Sequence, residues 1–284
     1  MRQVRDDIAG ERDEAARERR ATPRRRGRVP AALLIPAGVG LLFLVLPLVG
    51  LVIRAPWTTL PQRLTEPGAL TALRLSVQTA TLATALCLLL GVPLAWVLAR
   101  VEFPGRRLVR ALVTVPLVLP PVVGGVALLL VFGRRGLLGG WLDTTFGITL
   151  PFTTTGVVLA EAFVAMPFLV IAVEGALRAA DHRYEEAAAT LGASRWTAFT
   201  HVTLPLVAPG LAAGAVLCWA RALGEFGATI TFAGNYPGRT QTMPLAVYLA
   251  LETDLESAIV LSLVLLVVSV GILVALRDRW MSTA

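Results

Sequence analysis

The sequence predicts an all-α polytopic membrane protein with six transmembrane helices. Of its 284 residues, 56% are hydrophobic and the mean hydropathy is +0.71. A soluble domain normally holds roughly 45–50% apolar residues. Several apolar runs reach about 20 residues, enough to cross a hydrocarbon layer of about 30 Å as helix. The alternating segments of about ten residues that mark a transmembrane barrel do not occur.

The formal net charge is +7, and all 26 basic residues are arginine. They flank apolar spans, so they set topology, and no nucleic-acid partner is expected. Cys87 and Cys218 sit alone inside predicted spans, without the spacing of a metal or redox motif. His182 and His201 lie in one polar loop far from both. No metal site and no cofactor are expected.

In chain order, residues 1–30 are polar and arginine-rich, with Arg24, Arg25, Arg26 and Arg28 in one run. Such a segment cannot bury a core and is expected to be a disordered cytosolic tail. A transmembrane domain is expected over 31–284, with spans at about 31–53, 70–99, 108–132, 155–177, 207–232 and 257–276. Arginines cluster on one side of this arrangement. Arg100, Arg106, Arg107 and Arg110 follow the second span, Arg178, Arg183 and Arg195 follow the fourth, and Arg277 and Arg279 end the sixth. The other side carries Arg54, Arg63, Arg134, Arg135 and Arg239. The richer side is the cytosol, so both termini are expected inside, in the cell membrane. Prolines and glycines interrupt the third span at Pro116, Pro120, Pro121, Gly124 and Gly125. Membranes tolerate broken helices where protein or a water-filled cavity repairs the backbone bonds, which makes this a helix that shapes a pathway.

The loop at 178–206 is the most informative stretch. Residues 181–191 are rich in Ala and Glu with acids early, which suits the positive end of a short helix. Gly192 permits the left-handed geometry that ends a helix, and Ser194 suits the cap of a second. Pro205 is expected to mark the turn back into the membrane. Tyr184, Ala188 and Leu191 share a helical face, and Trp196 and Phe199 add aromatic bulk. A cytosolic surface of this kind fits a partner's groove.

Glu186-Ala187-Ala188, then Gly192, then Val202-Thr203-Leu204-Pro205 resembles the EAA motif of bacterial ABC importer permeases, with Val where Ile is usual. The resemblance implies the type I permease fold. It implies that this loop docks in a cleft of the ATP-binding subunit, present in two copies, with Glu186 at the contact, Gly192 at the bend, and Ala187, Ala188, Leu204 and Pro205 completing the coupling loop. It also implies a homodimer of the permease and an external binding protein. The chain has no lysine, so it cannot hold the phosphate-loop pattern whose lysine neutralises nucleotide phosphates. It is expected not to be an enzyme, and ATP hydrolysis is expected in another polypeptide.

The likeness extends over roughly residues 70–255. Phe103-Pro104-Gly105-Arg106-Arg107, Arg221-Ala222-Leu223-Gly224-Glu225-Phe226-Gly227-Ala228-Thr229 and Thr240-Gln241-Thr242-Met243-Pro244-Leu245 resemble the molybdate/sulfate branch. Phe226 favours molybdate over sulfate, whose permeases more often carry Tyr there. Tungstate matches molybdate in size and charge and is not separated from it. Transported molybdate, captured by an external molybdate-binding protein, is what the resemblance implies.

Within the fifth span, Gly210 and Gly214 form a GxxxG pair, which lets helices approach closely. Arg221 and Glu225 are four apart at membrane depth, where an ionisable group normally faces protein or water. Two readings stand: a self-neutralising structural pair, or an arginine that draws a dianion into a cavity while Glu225 limits its retention. Thr229, Asn235, Thr240 and Thr242 complete the candidate pathway; the last three are read as an outward loop, either donors to oxyanion oxygens or plain turn residues around Pro237-Gly238. Glu161 is read as a packing or helix-end residue. An ion-coupled secondary transporter would need more membrane carboxylates and no docking loop. An intramembrane enzyme would need a catalytic His, Asp pair or metal at membrane depth, and no span holds one.

Overall fold

A computed structural model describes residues 31–281. The expected disordered tail at 1–30 lies outside the described residues. The chain divides at Ile53 into two units. Among the described residues, the first holds the helix α1 (Ala31–Ile53), with Pro36 and Pro47 inside it.

The second unit holds the remaining elements, and all of its regular structure among the described residues is helical. In order they are α2 (Leu60–Leu64), α3 (Pro67–Arg100), α4 (Arg106–Val118), α5 (Pro121–Phe132), α6 (Gly139–Phe146), α7 (Thr154–Ala179), α8 (Arg183–Thr190), α9 (Arg195–Ala198), a π-helical turn (Phe199–Thr203), α10 (Leu204–Leu223), α11 (Gly227–Ala233), α12 (Met243–Thr253) and α13 (Leu255–Met281). Among the described residues, five helical stretches are long and apolar enough to cross a membrane, and six if the bent pair α4–α5 is one span. At 34 residues, α3 is about 51 Å long and overreaches the hydrocarbon layer at its ends.

The core is a three-helix contact of α3, α7 and α10. Its seam is made of small residues: Ala80, Ala83, Cys87 and Ala95 on α3, Ala162 and Ala165 on α7, Cys218 and Ala222 on α10. Between lipid-exposed helices there is no hydrophobic gain to drive association, so close packing of small side chains must hold the seam. Gly210 and Gly214 serve this: a methyl at either would run into Ala176 or Ala172 of α7. Both cysteines are buried free thiols within the seam.

One expectation about the spans is met and one needs correction. The third span is interrupted where its prolines predict: it breaks at Leu119-Pro120, and α4 and α5 diverge by 117°. Pro120 and Pro121 lack the N–H groups a continuous helix requires, and the residue before a proline is driven to extended backbone; Leu119 has ψ 129° and Pro120 ψ 131°. The fifth span also breaks, at Gly224-Glu225-Phe226, and α11 restarts at Gly227.

Contacts between loops gather arginines at two ends of the second unit. At one end, Arg100 after α3 reaches Glu185 and the carbonyl of Ala180, and Arg110 on α4 reaches Glu174 near the end of α7. Arg106 and Arg110 donate to the carbonyls of Leu98 and Ala99, where α3 leaves its last carbonyls without helical partners. At the other end, Arg63 of α2 joins Asp254, Ser257 and Glu256 at the start of α13. The bond from Ser257 and the bond from Arg63 hold the Asp254 carboxyl down to about 2, from an ordinary value of 3.8. A depressed acid stabilises the fold above its unfolded value and loses that contribution as pH falls through the folded one. The stability gap between the native chain and Asp254→Asn is therefore expected to be constant above about pH 4 and to close between about pH 4 and 2, as read from thermal melts of detergent-solubilised protein.

Candidate functional site

Two places in the fold concentrate the residues singled out in sequence. The first is the hairpin between α7 and α10. Helix α8 carries Glu185 and Glu186 in its first turn, where carboxylates meet the positive end of the helix dipole. It closes on a Schellman motif: Gly192 N–H donates to Ala189 O at 3.0 Å and Ala193 N–H to Ala188 O at 3.0 Å, with Gly192 at φ 86°. Ser194 caps α9, its Oγ accepting from Thr197 N–H at 3.1 Å. Gly192 as the bend and Ser194 as the cap are therefore as expected.

Pro205 is not a turn. Helix α9 runs through the π-helical turn Phe199–Thr203 directly into α10, giving one helical stretch Arg195–Leu223. The widened turn, in which Leu204 N–H reaches back to Phe199 O, absorbs a proline that neither donates an N–H nor fits over the carbonyl four residues earlier. Leu204 and Pro205 thus sit inside a continuous helix, which joins the hairpin rigidly to the core.

Glu186 and Ala187 are exposed, Ala188 is half-buried, and Tyr184, Leu191 and Trp196 are exposed with Leu191 at 89%. Beneath α9, Trp96 of α3 meets Phe199 edge-on, with ring centroids 6.2 Å apart. The sequence reading missed Glu185. Its Oε1 accepts from Arg100 Nη2 at 2.9 Å and from Thr203 Oγ1 at 3.0 Å. Nothing in local spacing announced this, because the three residues belong to separate elements.

The second place is where the two broken spans cross. Gly227, at the start of α11, lies against Pro121 and Val122 at the start of α5, and Gly125 lies against Ala228 and Thr231. Beside this crossing, Pro121, Val122, Arg221, Gly224, Glu225, Phe226 and Gly227 line a cavity of about 290 Å³. Arg221 Nη1 is 2.7 Å from Glu225 Oε2, with the arginine side chain 27% and the glutamate 1% exposed. The two are in contact as ions, although the guanidinium N–H groups are not aligned on Oε2, which has no hydrogen-bond donor. Glu225 Oε1 is occupied: it accepts from Ala228 N–H at 2.8 Å and so caps α11. One carboxylate thus restarts the broken span and balances the arginine.

The other pathway candidates do not line this cavity. Thr229 is fully buried on α11. Tyr236–Arg239 form the exposed turn expected around Pro237-Gly238, with Arg239 N–H donating to Tyr236 O at 3.1 Å, but the candidate residues beside it are not exposed, Asn235 being half-buried. Thr240 and Thr242 are at most 1% exposed. The segment folds back on itself, Tyr236 N–H donating to Thr240 Oγ1 at 2.9 Å, and it is anchored on α3 where Met243 N–H donates to Ser76 Oγ at 2.7 Å. Asn235 Oδ1, Thr229 Oγ1 and Thr242 Oγ1 are buried without a hydrogen-bond partner. Turn-type composition gave no sign of this burial. Glu161 is likewise buried within α7, accepting from Thr79 Oγ1 of α3 at 2.9 Å.

Comparison with known proteins fits this geometry. The chain is 50% identical over 251 residues to the molybdenum transport system permease protein of Mycobacterium bovis, covering 88% of this chain and 95% of the relative. It is 37% identical over 258 residues to the sulfate transport system permease protein of Escherichia coli, covering 88% and 93%. Among solved structures, a bacterial ABC transporter involved in import of the acidic polysaccharide alginate superposes with a TM-score of 0.73 at 18% identity, covering 88% of this chain and 94% of that one; this likeness supports the fold of an ABC importer permease. The model of the binding-protein-dependent transport system inner membrane component matches residues 91–283, and the chain belongs to that family of membrane permeases.

Proposed function

We propose that this chain is the molybdate-translocating permease of an ATP-driven importer, working as a homodimer with two copies of a separate ATP-binding subunit and an external molybdate-binding protein. The observation that carries the reading is the bent hairpin on Gly192. It presents Glu186, Ala187, Tyr184 and Leu191 outward and continues without interruption into α10. An exposed amphipathic helix of this kind suits a groove on a partner. A rigid helical connection carries a displacement there to the broken spans. The hairpin is read as cytosolic because it shares the arginine-rich end with Arg100, Arg106 and Arg110, and arginine distribution in the sequence supports both termini on that side.

The substrate assignment rests on the molybdenum transport relative at 50% identity, against 37% for the sulfate relative, and on the chemistry of the cavity at Arg221. A guanidinium beside a cavity between two half-helices attracts a dianion. Glu225, already paired with it, keeps the site from becoming a trap, because conduction needs binding weak enough to release. Thr229 on α11, and Asn235 and Thr242 on the segment that follows it, hold unpartnered oxygens close by in sequence.

The test is uptake of labelled molybdate by vesicles holding the permease, the ATPase and the binding protein. ATP-dependent uptake resisted by excess tungstate but not by excess sulfate is expected. Preferential competition by sulfate would move the chain to the sulfate branch. Within the same system, Glu186→Lys combined with Gly192→Val is expected to lose ATPase co-purification. The valine imposes a β-branched side chain on a left-handed residue, worth about 1–2 kcal/mol of strain, and the lysine inverts the charge of the docking face. Retention of the ATPase by that double variant would disprove the docking role.

A further inference from the structure

We propose that Glu185, through its hydrogen bonds to Arg100 and Thr203, is the residue that converts movement of the docking helix α8 into movement of the spans. The proposal rests on the docking role of the hairpin given above and adds the path by which force leaves it.

Helix α8 is short and mostly exposed. Its other side-chain hydrogen bonds are local. Thr190 Oγ1 returns to Ala187 O, and Arg183 N–H is held by Asp181 two residues away. Among the described residues, Glu185 is the side chain by which α8 hydrogen-bonds to the spans. Its Oε1 accepts at once from Arg100 Nη2, at the last residue of α3, and from Thr203 Oγ1, at the end of the π-helical turn that leads into α10. His182 Nδ1 stands 3.7 Å from the other oxygen.

Both partners are themselves fixed. The Arg100 side chain is 6% exposed and also donates to Ala180 O at the end of α7. Thr203 is 2% exposed. The carboxylate therefore joins the ends of α3 and α7 and the start of α10, the three helices of the core seam. Hydrogen bonds to a charged acceptor are short and strong. Thr203 is the last residue of the π-helical turn, and its hydroxyl is the one held against Glu185.

The neighbouring acids thus divide the work. Glu186 faces outward to the partner, and Glu185, about 100° around the helix, faces inward to the spans. If the link were absent, α8 would still dock, but its displacement would reach the core only through the chain at 180–182 and 191–194 and through its packing on the π-helical turn.

The experiment measures molybdate taken up per ATP hydrolysed in the complete reconstituted transporter. For Glu185→Ala, the ATPase is expected to remain bound and active while the ratio falls at least about fivefold, the low end of ordinary coupling energies. Because that variant leaves the Arg100 charge without its partner, Thr203→Val and Thr203→Ser are measured beside it. The valine, which keeps the volume and loses the hydroxyl, is expected to lower the ratio, and the serine to preserve it. A native ratio in Glu185→Ala, or equal ratios in the two Thr203 variants, overturns the proposal. So does detachment of the ATPase from Glu185→Ala, which would make Glu185 part of the docking face. Failure of the native chain to bind the ATPase would instead overturn the reading of the hairpin as a docking element.

Discussion

Gly125→Ala is expected to abolish uptake and to lower the melting temperature of the permease in detergent. A methyl at this position would stand 2.6 Å from Thr231 Cβ, 2.8 Å from Ala228 O and 3.1 Å from Ala228 Cα. Two of those atoms are backbone and cannot rotate away. Replacing glycine by alanine within a helix ordinarily gains about 1 kcal/mol in propensity. Overpacking of a close contact costs about 1–3 kcal/mol, and more when backbone must shift, so the clash dominates. The same reasoning applies from the facing side. At Gly227 a methyl would lie 2.8 Å from Pro121 Cβ and 3.1 Å from Val122 N. Gly175 on α7 is the control, since a methyl there meets nothing within 4 Å; Gly175→Ala should be neutral or slightly stabilising. Native uptake in Gly125→Ala would mean that α5 and α11 do not need their close crossing.

Arg221→Ala is expected to fail more severely than its neutral double. Removing the guanidinium leaves the carboxylate of Glu225, 1% exposed, without a counter-charge. Breaking a buried pair in this way costs about 3–5 kcal/mol. Replacing both charges, as Arg221→Met with Glu225→Gln, removes the orphan. The glutamine oxygen still accepts from Ala228 N–H and so still caps α11. The double variant is expected to recover the native melting temperature and membrane level while remaining at least about tenfold slower in uptake, a loss of about 1.4 kcal/mol in barrier terms. That split separates the two readings of the pair. If the double variant transports at the native rate, the pair only holds the broken span together and the oxyanion is guided elsewhere.

Much of the architecture was legible because it depends on near neighbours in the chain. Hydropathy over about 20 residues marks a span whatever surrounds it, and α3, α7 and α13 fall where the apolar runs do. Arginine distribution sorted the loops into two ends, and the contacts of Arg100 and Arg110 at one end and Arg63 at the other agree. The bend at Gly192 was legible because a helix needs a left-handed residue to close on its own carbonyls, and the chain supplies glycine there. The double proline at Pro120-Pro121 announced a break for a similarly local reason.

What remained hidden depends on residues far apart in sequence. Proline chemistry specifies a break but not its 117° angle, which follows from how α5 seats on α11. The whole loop at 234–242 reads as exposed because Asn, Thr and Gly are turn formers; only 236–239 are, and the burial of Thr240, Gln241 and Thr242 depends on distant packing, with Met243 anchored on Ser76, 167 residues away. Glu185 and Glu186 are indistinguishable by spacing, and only the positions of Arg100 and Thr203 make one an inward link and the other an outward face. The sequence by itself determined where the chain is apolar, where it is charged and where its backbone is free to turn, since those are properties of single residues and their immediate neighbours. The tertiary structure alone decided which polar groups meet, because burial removes water as a competitor only after distant helices have packed.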